Sequence, residues 1–159
     1  MGWDFQNVRV DDLLEMAAVV EQSGFDFYAR LCARTDELRM RNELKFLRDE
    51  EALHKSWFLQ QLRQQGSVPQ GFVAPALRET LEREFIDPVD QMFASSDIRD
   101  MEKTLKLGSA LEQKSIDLYS KMRPAVSGRQ RTALDWIIAQ EEEHRRKLEI
   151  LRSLRFKGR

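Results

Sequence analysis

The 159-residue chain contains only two histidines, and each follows a glutamate by three residues, in Glu51-Ala52-Leu53-His54 and in Glu141-Glu142-Glu143-His144. A further glutamate stands upstream of each pair in matching context. Glu21-Gln22-Ser23-Gly24-Phe25-Asp26-Phe27-Tyr28 and Glu112-Gln113-Lys114-Ser115-Ile116-Asp117-Leu118-Tyr119 agree at Glu, Gln, Asp and Tyr. The step from the first glutamate to the histidine is 33 residues in one half and 32 in the other, so the set is an internal duplication. Carboxylates together with imidazoles are ligands for divalent metal ions. Mixed ligation of this kind suits iron or manganese, whereas zinc prefers fewer ligands and magnesium avoids histidine.

Such residues must be positioned by helices. Leu13, Met16, Ala17, Val20, Gly24, Phe27, Tyr28 and Leu31 recur at steps of three and four, the mark of an amphipathic helix. Asp12 followed by Glu15 resembles a capping box and sets its start near residue 11. A second run passes through Leu44, Leu47, His54, Phe58 and Leu62 and ends near Gly66. A third begins after Ser96 and Asp97 and carries Ile98, Met101, Leu105, Gly108, Leu111, Leu118 and Met122. A fourth, after Pro124 to Gly128, carries Leu134, Ile137, Ile138, Leu148 and Leu151. No alternating β-branched run is bounded by turn residues, so the expected class is all-α. The expected domain is a single one over 1–159, with hairpins at 11–65 and 97–154, a crossover at 66–96 and a basic tail at 155–159. The crossover is long enough to travel the full bundle height, with short helices expected at Pro75–Phe85 and Pro88–Ala94, each opened by its proline.

Glu21 lies as far before the first turn as Glu51 lies after it, and Glu112 and Glu141 are balanced around the second, so antiparallel hairpins bring them to one height. Residues i and i+3 share a helix face, and that face is apolar here. Four carboxylates and two imidazoles thus converge in a bundle core. Unpartnered there, ionised glutamates cost several kcal/mol each, so either their pKa values rise or cations neutralise them. Two divalent ions match four carboxylates in charge. One glutamate from each of two helices, with a Glu-x-x-His from each of the other two, is the ligand set of dimetal-carboxylate bundles.

On these motifs the chain resembles the ferritin-like dimetal-carboxylate proteins, and among them the rubrerythrin family, over roughly residues 11 to 154. The resemblance implies a ferritin-like four-helix bundle with Glu21, Glu51, His54, Glu112, Glu141 and His144 as metal ligands, Glu51 and Glu141 bridging. It implies two iron ions, with manganese or zinc as substitutes, and an oxidoreductase of the peroxidase or ferroxidase type acting on hydrogen peroxide or dioxygen in oxidative stress. It also implies a homodimer. Ser115 stands where that family typically carries an additional glutamate, and no four-cysteine rubredoxin-like domain is present, so electrons are expected from an external donor. The alternatives are an iron storage or sequestration module, or a metal-stabilised bundle without turnover.

Tyr28 and Tyr119 follow their glutamates by seven residues and are expected to set a hydroxyl against a ligating carboxylate across the bundle, or simply to pack. Asp26 and Asp117 point away from the core. Glu50, Glu142 and Glu143 read as solvated neighbours of the ligands, Trp3, Trp57 and Trp136 as packing residues, and Cys32 as a small buried one. Twenty-six basic residues against 27 acidic ones give a net charge of −1 and no field to attract nucleic acid. The longest stretch free of charged residues, Gln64 to Leu77, spans 14 residues and contains two prolines, which excludes a membrane-spanning helix. One cysteine and no visible secretory signal point to the cytoplasm.

Overall fold

A computed structural model describes Phe5, residues 8–66 and residues 75–156, the side chains at 76, 98, 155 and 156 excepted. It is all-α, with no strand among the described residues. Four long helices carry the four periodic runs: α1 (Val10–Ala33), α2 (Leu38–Gln64), α5 (Met101–Met122) and α6 (Gly128–Phe156). Between α2 and α5 lie α3 (Pro75–Leu81), a π-helical turn (Glu82–Ile86) and α4 (Asp87–Ala94).

The expected capping box does not form. Asp12 already lies inside the first turn of α1, whose N-cap is Arg9 without a side-chain bond, so the acids at 11 and 12 act on the helix dipole instead. The run expected to start after Ser96 and Asp97 first makes a short 3-10 turn, Ser96–Arg99, and α5 begins one step later. Asp100 caps it by accepting from the Lys103 backbone N–H at 3.2 Å. The crossover contains the two expected short helices, α3 and α4, but α3 ends at Leu81 rather than Phe85 because a π turn, Glu82–Ile86, joins the two. Each has its proline in the first turn as expected, Pro75 opening α3 and Pro88 following Asp87 at the start of α4, where a missing N–H is tolerated. Residues 67–74 of the crossover lie outside the described residues, as do Trp3 and the last three residues of the basic tail; the tail's first two residues extend α6.

The apolar faces bury into two clusters. One joins Leu13, Met16 and Val20 of α1 to Phe58 and Leu62 of α2, Leu118 and Met122 of α5, and Leu134 and Ile137 of α6. The other joins Phe27 and Leu31 of α1 to Leu44 and Leu47 of α2, Leu105 of α5, and Leu148 and Leu151 of α6. The start of α1 therefore shares one end of the bundle with the end of α5, and the crossover runs from that end to the other, with Leu77, Leu81 and Phe85 in the first cluster and Val89 and Phe93 in the second. On every long helix the glutamates and histidines of the duplicated motif lie between the two clusters. Burial of roughly 1.5–3 kcal/mol per large apolar side chain on either side holds this polar layer in place.

Candidate metal centre

The structure brings all six expected residues together. Glu21, Glu51, His54, Glu112, Glu141 and His144 are between 0 and 4% exposed. Their ligand atoms form two overlapping sets, Glu21–Glu51–His54–Glu141 and Glu51–Glu112–Glu141–His144, in each of which the atoms lie within 4.8 Å of one another. Glu51 and Glu141 belong to both sets, which is the placement that a bridging carboxylate requires.

The pairing is crosswise. His54 Nδ1 on α2 lies 2.8 Å from Glu141 Oε1 on α6, and His144 Nδ1 on α6 lies 3.2 Å from Glu51 Oε1 on α2. The two imidazoles stack, with centroids 5.6 Å apart and planes inclined by 13°. Tyr119 donates its hydroxyl to Glu21 at 2.7 Å, and Tyr28 donates to Glu112, so each tyrosine holds the upstream glutamate of the other half. Four buried atoms, Glu21 Oε2, His54 Nε2, Glu141 Oε2 and His144 Nε2, have no hydrogen-bond partner. Orphaned polar atoms at this depth cost about 1–3 kcal/mol each, and a cation among them removes that cost. The donor set fits a pair of divalent ions.

Electrostatics divide the acids into two kinds. Burial drives Glu51 and Glu141 well above the ordinary carboxylate value, and the charges of their neighbours push in the same direction. Burial raises Glu21 and Glu112 as well, but hydrogen bonds from the other acids and the histidines outweigh it and leave both below the ordinary value, Glu112 at about 2. Burial lowers the histidines, yet the carboxylates around them bring both up to about 10. The tyrosine hydroxyls, buried beside Glu112 and Glu21, stay protonated. Without metal the layer therefore holds two carboxylates, two imidazoliums and two neutral acids, and its charge sums to zero.

Three contacts were not legible as part of the site. A Cβ on Gly24 would meet the Glu51 carboxyl carbon and Oε2 at 3.1 Å, so this mid-helix glycine makes the space in which Glu51 sits. Its cost to helix propensity was the available signal. Gly24→Ala is expected to hold or raise the thermal stability of the metal-free chain by up to ~1 kcal/mol of helix propensity, while weakening metal binding about tenfold. Thermal melts and metal titration of one variant check both halves, and an unchanged affinity would refute the close fit. Trp136 is not a core packing residue: it is 55% exposed and sets its ring edge on His54, centroids 5.8 Å apart. Ser115 turns back on its own helix, donating to the Leu111 carbonyl at 3.2 Å.

The remaining expectations resolve simply. Glu142 and Glu143 are exposed and Glu50 is half-buried, none of them in either donor set. Asp26 and Asp117 are exposed, each accepting from the glutamine four residues earlier, at 2.9 and 3.0 Å. Trp57 packs against the first apolar cluster, and Cys32 is buried with its thiol donating to the Arg41 carbonyl. Among the described residues no helix is long and apolar enough to cross a membrane. No family model, curated protein or solved structure matches the chain.

Proposed function

We propose that the chain is a ferritin-like di-iron carboxylate protein of the rubrerythrin kind, an oxidoreductase that reduces hydrogen peroxide or dioxygen. The observation that carries this reading is the sharing of two buried carboxylates, Glu51 and Glu141, between two donor sets that each contain one histidine. Glu21 and His54 complete one set, Glu112 and His144 the other. Iron, when bound, supplies the electrons, two Fe(II) becoming Fe(III) as one hydrogen peroxide and two protons become two waters.

The protein's own part is positioning and exclusion. Tyr119 and Tyr28 fix the rotamers of Glu21 and Glu112 from across the bundle. The shared carboxyls hold protons until cations replace them, so the layer stays neutral in both states. Apolar clusters above and below keep bulk water from the centre. Re-reduction falls to an external donor.

The test is anaerobic loading of the full chain with Fe(II), followed by hydrogen peroxide or air, with ferric absorbance followed over repeated cycles of added reductant. Two irons per chain and sustained turnover are expected. Failure to bind two irons overturns the reading, and so does oxidation that occurs once only; accumulation of many irons per chain would mark a storage module.

A further inference from the structure

The crossover covers one side of the bundle only. Its Leu77, Leu81, Phe85, Val89 and Phe93 bury into the two apolar clusters. Ser23 of α1 donates to the Phe85 carbonyl at 3.3 Å, and Lys114 of α5 donates to the Glu84 carbonyl at 3.0 Å, which fastens the π turn to both helices. The duplication makes α1 equivalent to α5 and α2 equivalent to α6. Between α2 and α6 runs a cleft of about 370 Å³, and no described residue outside these two helices lines it. The cleft reaches His144 of the metal centre, itself only 2% exposed.

The uncovered side is apolar. Among the described residues, the large hydrophobic side chains left exposed are Leu38, Phe46 and Leu53 of α2 and Trp136, Ile150 and Leu154 of α6. Phe46 and Leu53 stand seven residues apart, Trp136 and Ile150 fourteen, and Ile150 and Leu154 four, so each helix presents them on one face. Phe46 and Trp136 are equivalent, each five residues before the shared glutamate of its half. Hydrophobic side chains scattered singly over a surface need no explanation, but their confinement to one pair of helices marks an interaction face. Two adjacent helices about 40 Å long and 10 Å across offer roughly 800 Å², the area each partner contributes to a stable interface.

The charges on this side suit a copy of itself. Lys147 pairs with Glu43 at 3.1 Å and Arg146 with Glu143, which leaves Arg39 and Glu50 in the cleft wall without an ion pair among the described residues. One base and one acid favour neither an acidic nor a basic partner. They stand eleven residues apart on α2, three turns along one face. We propose that a second copy of the chain docks on the α2/α6 side about a two-fold axis crossing α2 near Phe46, with Arg39 of each copy against the partner subunit's Glu50, and that it closes the cleft leading to the metal centre. An isologous contact of this kind pairs both charges twice, and it takes the exposed apolar face out of water. The closing of the centre rests on the di-iron reading; the contact between copies does not.

Sedimentation equilibrium of the metal-free full chain is expected to give twice the chain mass of 18.7 kDa, and a monomer overturns the proposal. Leu53→Lys and Ile150→Lys change side chains that are 62 and 52% exposed, so each is expected to leave a chain that is folded by circular dichroism but monomeric. A dimer unchanged by both places the contact elsewhere and overturns this face. Arg39→Glu is expected to weaken the dimer about tenfold or more by setting like charges together, and adding Glu50→Arg to restore it. Failure of the double variant to recover overturns the two-fold pairing. With Mn(II) bound, the monomeric variants are expected to lose metal to a chelator about tenfold faster than the dimer. Equal release overturns the closing of the centre. A dimer with this pattern of variants that binds no metal supports the contact and overturns only the di-iron reading.

Discussion

Glu51→Ala is expected to remove both metal ions, whereas Glu21→Ala removes one. The asymmetry comes from membership of the donor sets: Glu51 and Glu141 serve both, Glu21 and His54 serve one, and Glu112 and His144 serve the other. Without Glu21 the set Glu51–Glu112–Glu141–His144 remains whole. Without Glu51 each set loses a carboxylate at once. The affinity lost should exceed the 10- to 100-fold, roughly, that loss of an outer partner costs, because a direct donor is gone. The metal-free fold should survive, since Glu51 is held neutral there by burial, and its removal strands no charge. His144 keeps Glu112 and Glu141, both at 3.6 Å from Nδ1. Metal counts by native mass spectrometry, with circular dichroism as the control for folding, decide the point. One tightly held ion in Glu51→Ala would show that this carboxylate does not bridge.

Metal binding near neutral pH is expected to release about four protons per chain, one each from His54, His144, Glu51 and Glu141. Glu21 and Glu112 are already ionised and release none. The overall constant for two ions should therefore fall about 10⁴-fold per pH unit of acidification, or about 5.4 kcal/mol at 1.36 kcal/mol for each proton. Titration calorimetry in buffers of different ionisation enthalpy counts the protons directly, and a count near zero would mean that the metal-free layer is already deprotonated.

The metal-free chain responds to pH in the opposite sense. His54 and His144 titrate higher in the folded state, at about 10, than unfolded, so their contribution is complete below the unfolded value of 6.5 and is lost as pH rises through about 10. Glu51 and Glu141 are also raised, so the unfolded chain ionises them from about pH 4.5 upward while the folded chain does not, and stability falls further as pH climbs. Glu112, lowered to about 2, contributes above pH 4.5 and loses that contribution only on acidification. Between pH 7 and 9 the melting temperature should drop without metal and hold steady with manganese bound, because the ligands are then deprotonated folded and unfolded alike.

The all-α class, the two hairpins and the height-spanning crossover follow from periodicity and turn residues, and the helices lie within a few residues of where those signals place them. The six donors were legible because duplication repeats them at one height and helical spacing puts each Glu-x-x-His on one face. The failures share a cause. Asp12 looks like a cap only if the helix starts beside it, and the first crossover helix reads through to Phe85 only if no π turn interrupts it. Trp136 carries no local sign of being exposed against a histidine.

By itself the sequence determined which atoms the chain can offer a metal, that they come in two equivalent halves, and which helix face bears them. Backbone hydrogen bonding within a helix sets those relations over three or four residues, so they can be counted along the chain. Only the tertiary structure decided that His54 faces Glu141 and His144 faces Glu51, across 87 and 93 residues of chain. It likewise decided that Tyr28 and Tyr119 reach across 84 and 98 residues to each other's glutamates. Such contacts depend on how each helix is rotated about its own axis when the two apolar clusters close, and on where the crossover comes to rest against α1 and α5.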